Sequence, residues 1–264
     1  HVAPLTDGLR LDYDALQEII DEHGCTVLAC LHVSNVTGEL IDIGRVADMV
    51  HARGGRIFVD GAQALPHISI SIRSLGVDGY ACSSHKAYGP TGAGALYVAP
   101  DIASDIPPLH TGGEMVDQVS VEHTTFKRSP HRFEAGTPPI MQAVGMHAAI
   151  EFLSGVRDAI EEENALVHRA YERLSSLPFI NVLGEEQRIG LVAFTMDEVH
   201  AHDIAQFLDQ KGVAVRAGHH CTQPLHESLG IPASVRASFG VYNSDEDVDR
   251  LIDALKQCKE AFHV

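Results

Sequence analysis

Two periods of hydrophobic and polar positions alternate along the chain, and the changes between them mark its elements. Leu16, Ile19 and Ile20 share one face of a helix that Asp12 caps and Gly24 ends. The four or five residues ahead of it read as part of a strand. Val27 through Val33 is an almost unbroken apolar run, the pattern of a strand covered on both faces, and it exits into Ser34-Asn35-Val36-Thr37-Gly38. Ile43, Val46, Ala47 and Val50 then form a helical stripe closed by Gly54-Gly55. A buried strand from Ile57 delivers Asp60 at its tip, a short helical piece lies near Ile72, and a third strand, Gly79 to Cys82, runs toward Lys86. Ala95 to Val98 is the fourth strand, after a glycine-rich turn.

Residues 101 to 137 are rich in Pro, Gly, Thr and His with little periodicity, and a long irregular stretch in a compact domain is usually functional or at an interface. Pro138-Pro139 opens a long helix through Leu153 with Ile140, Val144, Ala148 and Phe152 along one side. A second helix passes Glu161 to Glu163 and carries Leu166, Ala170 and Leu174 toward Pro178. Strands are expected at Ile180 to Leu183, Leu191 to Phe194, Val213 to Arg216 and Val235 to Phe239, with a helix on Ile204, Phe207 and Leu208. Ser244 caps a last helix whose Val248, Leu251, Ile252 and Leu255 face inward.

Strand, helix, strand, helix, strand implies right-handed crossovers and a largely parallel sheet, so residues 1–155 read as an α/β domain. Residues 156–264 read as a small α+β domain with a mainly antiparallel sheet. Asn35, Asp60 and the segment Ser83 to Lys86 all lie just past C-terminal ends of strands, the edge at which open α/β sheets bind ligands.

At 264 residues and 45% hydrophobic composition the chain has enough apolar material for a substantial core. A formal charge of −17, with only 19 Lys and Arg and no basic stripe, argues against nucleic-acid or anionic-membrane surfaces. Apolar runs are strand-sized and the first residues carry no secretion signal, so the expected location is the cytoplasm. Five cysteines without a CxxC pair fit a reducing compartment better than a disulfide framework.

The stretch Ser83-Ser84-His85-Lys86-Ala87-Tyr88-Gly89-Pro90 holds a lysine in tight loop backbone, which suits an amine that bonds covalently to a carbonyl cofactor. A pyridoxal phosphate (PLP) ring needs an anion at its nitrogen, and Asp60 at a strand tip offers one. The ordinary alternatives are a solvated surface lysine and a helix-capping aspartate. Arg216-Ala217-Gly218-His219-His220-Cys221 places a thiol in a cationic loop, the setting of a nucleophile. Cys25, Cys30, Cys82 and Cys258 read as packing residues. A zinc reading of His219, His220 and Cys221 is weaker, because three consecutive residues do not easily converge on one ion and no spaced fourth ligand follows; no metal is expected. Arg236 is either an exposed-face residue or a bidentate carboxylate clamp, and the residues leave both open.

His-Val-Ser-Asn35, Asp60-Gly61-Ala62-Gln63, Ser83 to Pro90, Arg132 to Pro138, Arg216 to Cys221 and Arg236-Ala237-Ser238 occur in one order and spacing. Together they resemble the SufS-like (group II) PLP-dependent cysteine desulfurases of the class V aminotransferase superfamily, over essentially the whole chain. The resemblance implies a PLP-dependent transferase large domain of fold type I, incomplete here, followed by the small domain. It implies that Lys86 holds PLP, Asp60 pairs with the ring nitrogen, Gln63 with the ring hydroxyl, and Ser83 and His85 bind the phosphate, with Thr137 supplied by the second subunit of a homodimer. Asn35 and Arg236 would hold the carboxylate of L-cysteine. Cys221 would take the sulfur as a persulfide, release L-alanine and pass sulfur to an acceptor protein for iron-sulfur cluster assembly.

Members of this family are longer, and the implied absence of an N-terminal third leads to the expectation of a sheet with two unpaired edges, weak PLP binding and little activity. Selenocysteine lyase shares the lysine, aspartate and cysteine and is the near alternative. A non-catalytic dimerising fragment is the alternative of a different class.

Overall fold

The computed structural model describes residues 1–263. α1 (Tyr13–His23) starts where the Asp12 carboxylate accepts hydrogen bonds from the N–H groups of Asp14 and Ala15 at 3.1 and 3.0 Å. β1 (Val27–Leu31) follows, then α2 (Ile43–His51), capped in the same way by Asp42. β2 (Arg56–Asp60), the short α3 (Ile72–Leu75), β3 (Gly79–Ser83) and β4 (Gly94–Val98) complete a four-stranded sheet ordered β1-β2-β3-β4. β1, β2 and β3 are parallel, and β4 returns antiparallel. The mostly parallel α/β sheet expected from the sequence is present.

Asp78 fastens the start of this ladder. Its buried carboxylate accepts from the Ile57 N–H at 2.8 Å, from Arg56 at 3.0 Å and from His51 at 2.8 Å. Burial alone raises a carboxyl pKa, and these three donors outweigh it and hold Asp78 below the usual range. Leu16, Ile20, Ile43, Val46, Val50, Ile57, Val59 and Tyr80 form one core on the helix-covered side. At the two edges of the sheet Val27 and Leu96 are 59% and 63% exposed.

The long stretch of little periodicity contains a short hairpin of β5 (Val116–Val119) and β6 (Thr124–Phe126). α4 (Ile140–Gly155) and α5 (Arg157–Ser175) lead into β7 (Ile180–Leu183), β8 (Leu191–Met196), α6 (Ala201–Gln210), β9 (Arg216–Gly218), α7 (Gln223–Ser228), β10 (Ser234–Ser238) and α8 (Asp245–Phe262). The second sheet is ordered β7-β8-β10-β9 and its pairs are antiparallel. Leu166, Ala170, Leu174, Phe194, Ile204, Val235, Leu251 and Leu255 build its core. Ser244 and Asp247 form a reciprocal cap on α8, and no helix among the described residues is long and apolar enough to cross a membrane.

Three expectations are corrected. The residues before α1 form no strand, only a single bridge between Leu5 and Leu11. β9 begins at Arg216 rather than Val213, because the Val213 N–H bonds to the Leu208 carbonyl at 2.9 Å and β10 offers partners only from Arg216 onward. The apolar side of α4 turns outward: Ile140, Val144 and Phe152 are exposed, while Met146, Ala149 and Leu153 are buried. α4 is apolar around most of its circumference, so periodicity alone cannot select the packed face.

Close approach selects that face. A Cβ placed on Gly145 meets the Pro90 ring at 2.8 Å, and one placed on Gly89 meets the Ala149 methyl at 3.2 Å. Small residues therefore let α4 lie directly on the loop that carries Lys86. We expect Gly145→Leu to destabilise the protein by about 1–3 kcal/mol in urea unfolding, whereas Val144→Ala on the exposed side changes stability by only about 0.5 kcal/mol. Equal effects of the two substitutions contradict this packing.

Candidate active site

Parallel pairing delivers the first group of residues. Asp60 ends β2 opposite Leu31 of β1 and Ala81 of β3, and its carbonyl accepts from the His32 N–H at 2.9 Å. Its carboxylate bonds the Ala62 N–H at 2.8 Å and is exposed toward a cleft of about 560 Å³. Ser83, His85 and Lys86 line the same cleft from the end of β3, with Phe58, Ala81 and Leu96 as its apolar floor. An amine, a carboxylate, a hydroxyl and an imidazole thus share one cavity. Gln63 stands half-buried in the turn beyond Asp60 and does not line this cleft; Thr137 is exposed ahead of α4.

The Lys86 turn is firmly made. Ser84 N–H bonds the Ala93 carbonyl at 3.1 Å, and the Ser84 carbonyl accepts from Ala87 and Gly89 at 2.9 and 3.0 Å. Tyr88 has a φ of 63°, and its hydroxyl accepts from the Val241 N–H at 3.0 Å, tying the turn to the C-terminal sheet's surroundings.

A buried layer stands behind Asp60. The Tyr80 ring lies where a side chain on Gly61 would have to go, and its hydroxyl meets His32 Nδ1 at 2.8 Å. Burial holds His32 below the usual imidazole range and pushes the Tyr80 phenol well above its own. Both groups are therefore neutral near pH 7. Neither was singled out from the sequence; a histidine and a tyrosine inside strand-like runs were the available signals.

Thiol and arginines form the second group. The Asn35 side-chain amide donates to the His220 carbonyl, and Arg236 Nη1 donates to the Asn35 carbonyl at 3.1 Å. Arg216 Nη2 lies 3.9 Å from Cys221 Sγ, and Cys221 is exposed. His220 and Cys221 sit consecutively in the left-handed region with φ of 51° and 66°, a conformation that costs non-glycine residues energy unless the surroundings impose it. Burial, then Arg216, pulls Arg236 below the usual guanidinium range. Cys30 and Cys82 line the cleft, but burial pushes Cys30 up to about 12 and also raises Cys82, leaving both as thiols.

Asn35 and Asp60 are neighbours by topology, since β1 and β2 exit side by side. The N–H of Ile189, in the β7–β8 loop, donates to the Gly38 carbonyl at 2.8 Å, and His67 Nδ1 meets Glu163 at 2.6 Å. These contacts join the C-terminal elements to the loops that follow β1 and β2.

The family model for aminotransferase class-V matches residues 1–251. The chain belongs to the class-V aminotransferase family. It is 44% identical over 260 residues to a cysteine desulfurase of Haloferax volcanii, covering 97% of this chain and 61% of that one. The crystal structure of the cysteine desulfurase CsdA from Escherichia coli aligns with a TM-score of 0.92 at 35% identity, over 98% of this chain and 65% of that one. The apo cysteine desulfurase of Thermococcus onnurineus gives 0.93 at 32% identity, over 99% and 66%. The class-V chain thus shares the fold of these enzymes and spans less than two thirds of the length of the Haloferax relative.

His220 makes acid a structural stress for this site. Burial, then Arg236 and Arg216, lowers its pKa from 6.5 to about 4. An unfolded histidine takes up its proton near 6.5, so the stability His220 contributes is fully present above that pH and is lost as pH falls toward 4. Melting temperature is expected to fall across this window. His220→Gln, which keeps an N–H toward β10, should flatten the decline, and an unchanged slope in that variant contradicts the assignment.

Proposed function

We propose that this protein is a PLP-dependent cysteine desulfurase that removes sulfur from L-cysteine, leaving L-alanine and a persulfide on Cys221. The observation that carries the reading is that Asp60 and Lys86, far apart in sequence, line one cleft at the strand ends. Membership of the class-V family and the likeness to cysteine desulfurases support it.

The donor set in the cleft suits PLP: an amine for its aldehyde, a carboxylate for its ring nitrogen, and a hydroxyl and an imidazole for its phosphate. In this reading Lys86 holds the cofactor and moves protons at the substrate's α-carbon, and Asp60 keeps the ring nitrogen protonated. Gln63 serves the ring hydroxyl; Ser83, His85 and the second subunit's copy of Thr137 serve the phosphate. When bound, PLP supplies an electron sink for charge developing on the substrate.

Arg236 and Asn35 clamp the substrate carboxylate in this reading, a role consistent with the hydrogen bond that Arg236 Nη1 donates to the Asn35 main-chain carbonyl, which holds the two residues side by side. The Cys221 thiolate attacks the substrate sulfur: a sulfur–sulfur bond forms, the carbon–sulfur bond breaks with its electron pair left on the carbon side, and a proton completes alanine. Arg216 faces Sγ and balances the anion that attacks. Residues 1–155 form the cofactor-binding unit and 156–264 the unit that presents the thiol. A homodimer working in the cytoplasm, with an acceptor protein carrying sulfur toward iron-sulfur clusters, completes the proposal.

Titration with PLP is expected to give a visible absorbance band that Lys86→Ala abolishes. Alanine formation from L-cysteine, expected to be low for this chain, should depend on Cys221: Cys221→Ser keeps the band and drops alanine to the level seen without protein. A band independent of Lys86, or alanine formation indifferent to Cys221, refutes the reading.

A further inference from the structure

The turn that carries Cys221 is held by three imidazoles, and two of them converge on one residue. His220, 2% exposed, has Nε2 3.1 Å from the Ser234 carbonyl. A carbonyl only accepts, so Nε2 carries the proton. His226, on α7 and 1% exposed, has Nδ1 3.0 Å from the Thr222 carbonyl, and the same reasoning puts its proton on Nδ1. The remaining lone pair at His226 Nε2, 2.9 Å from Ser234 Oγ, then accepts from the Ser234 hydroxyl. His219 Nε2 donates in the same manner to the Pro232 carbonyl at 2.9 Å.

Cys221 therefore stands between two anchors that end on the fully buried Ser234. His220, on one side of it, reaches the Ser234 carbonyl; Thr222, on the other, reaches the Ser234 hydroxyl through His226. Thr222 closes the turn by donating its N–H and hydroxyl to the His219 carbonyl at 2.8 and 2.7 Å. The left-handed backbone at His220 and Cys221 is what such a strut has to sustain.

We propose that His226 and Ser234 are positioning residues for Cys221: the Ser234–His226–Thr222 strut fixes the sulfur-bearing turn against β10 and beside Arg216. The proposal rests on the reading of Cys221 as the reacting thiol. The charged groups near the sulfur are Arg216 from β9 and Arg236 from β10, while the imidazoles of His219, His220 and His226 turn toward Pro232 and Ser234.

The test is the rate at which iodoacetamide alkylates each cysteine of the purified protein, followed by mass spectrometry, which needs no cofactor. In the native protein Cys221 should react faster than Cys25, Cys30, Cys82 and Cys258; a slower Cys221 defeats the reading of the thiol and leaves the strut to be judged on the variants. His226→Leu and Ser234→Ala are each expected to slow Cys221 about tenfold, the scale of one buried hydrogen bond, without changing the rates of the other cysteines. The double variant should be no slower than the slower single one, because the two residues act as one unit. His226→Asn, which sets an amide N–H where Nδ1–H stands but offers no acceptor to the Ser234 hydroxyl, should be as slow as Ser234→Ala. Rates within about twofold of native in the folded single variants, or additive losses in the double variant, overturn the proposal. If His226→Leu does not fold, Ser234→Ala decides, since it removes one oxygen and leaves the packing in place.

Discussion

The parallel ladder of β1, β2 and β3 is the constraint on which the site depends. Parallel strands all end on one side of the sheet, so whatever follows them in sequence is gathered at one edge. Asp60 is the last residue of β2 and faces Leu31 and Ala81 across its two ladders. Lys86 lies in the turn after β3, and Asn35 in the loop after β1. A slip of one residue in this register would turn Asp60 away from the cleft, because successive side chains point to opposite faces. Asp78, with three donors on its carboxylate, guards against that slip at the other end of β2.

Close packing turns this edge into a cleft with fixed walls. Gly61 makes room for Tyr80, and Gly89 and Gly145 make room for α4 against the Lys86 loop. In each case the missing side chain belongs to a residue that touches the functional loops, and the space is filled by a neighbour. Tyr80 in the cleft wall and His32 behind it are kept neutral by burial, while the charged groups stand forward: Lys86 and Asp60 at the cleft, Arg216 and Arg236 beside the thiol. Against a chain charge of −17 this local gathering of cations is set by tertiary contacts rather than by composition.

Most elements were legible because their signals are local. Asp12 and Ser244 mark helix starts by hydrogen bonds to amides two or three residues on, and the stripe from Ile43 to Val50 needs only helical spacing to bury one face. Legibility failed where the deciding partner is distant. On α4, apolar residues occur on both sides, and Pro90 and Gly89 choose the side that packs. At Val213 the apolar alternation suggested pairing, but the bond to Leu208 and the end of the β10 ladder prevail. Of the site, Lys86, Asp60 and Cys221 stood out by residue type and loop position. His226, Ser234, His32 and Tyr80 did not, since each matters through one contact made across the fold.

The sequence by itself determined the order of elements, the α/β character of the first part, and which amine, carboxylate and thiol lie at strand ends, because caps, periodicity and turns are written within a few residues of where they act. Only the tertiary structure decided that Asp60 and Lys86 share one cavity, that α4 packs through its small residues, and that the Cys221 turn hangs from Ser234. Those outcomes depend on which distant groups come within hydrogen-bonding or van der Waals distance, and that is settled by packing of the whole chain.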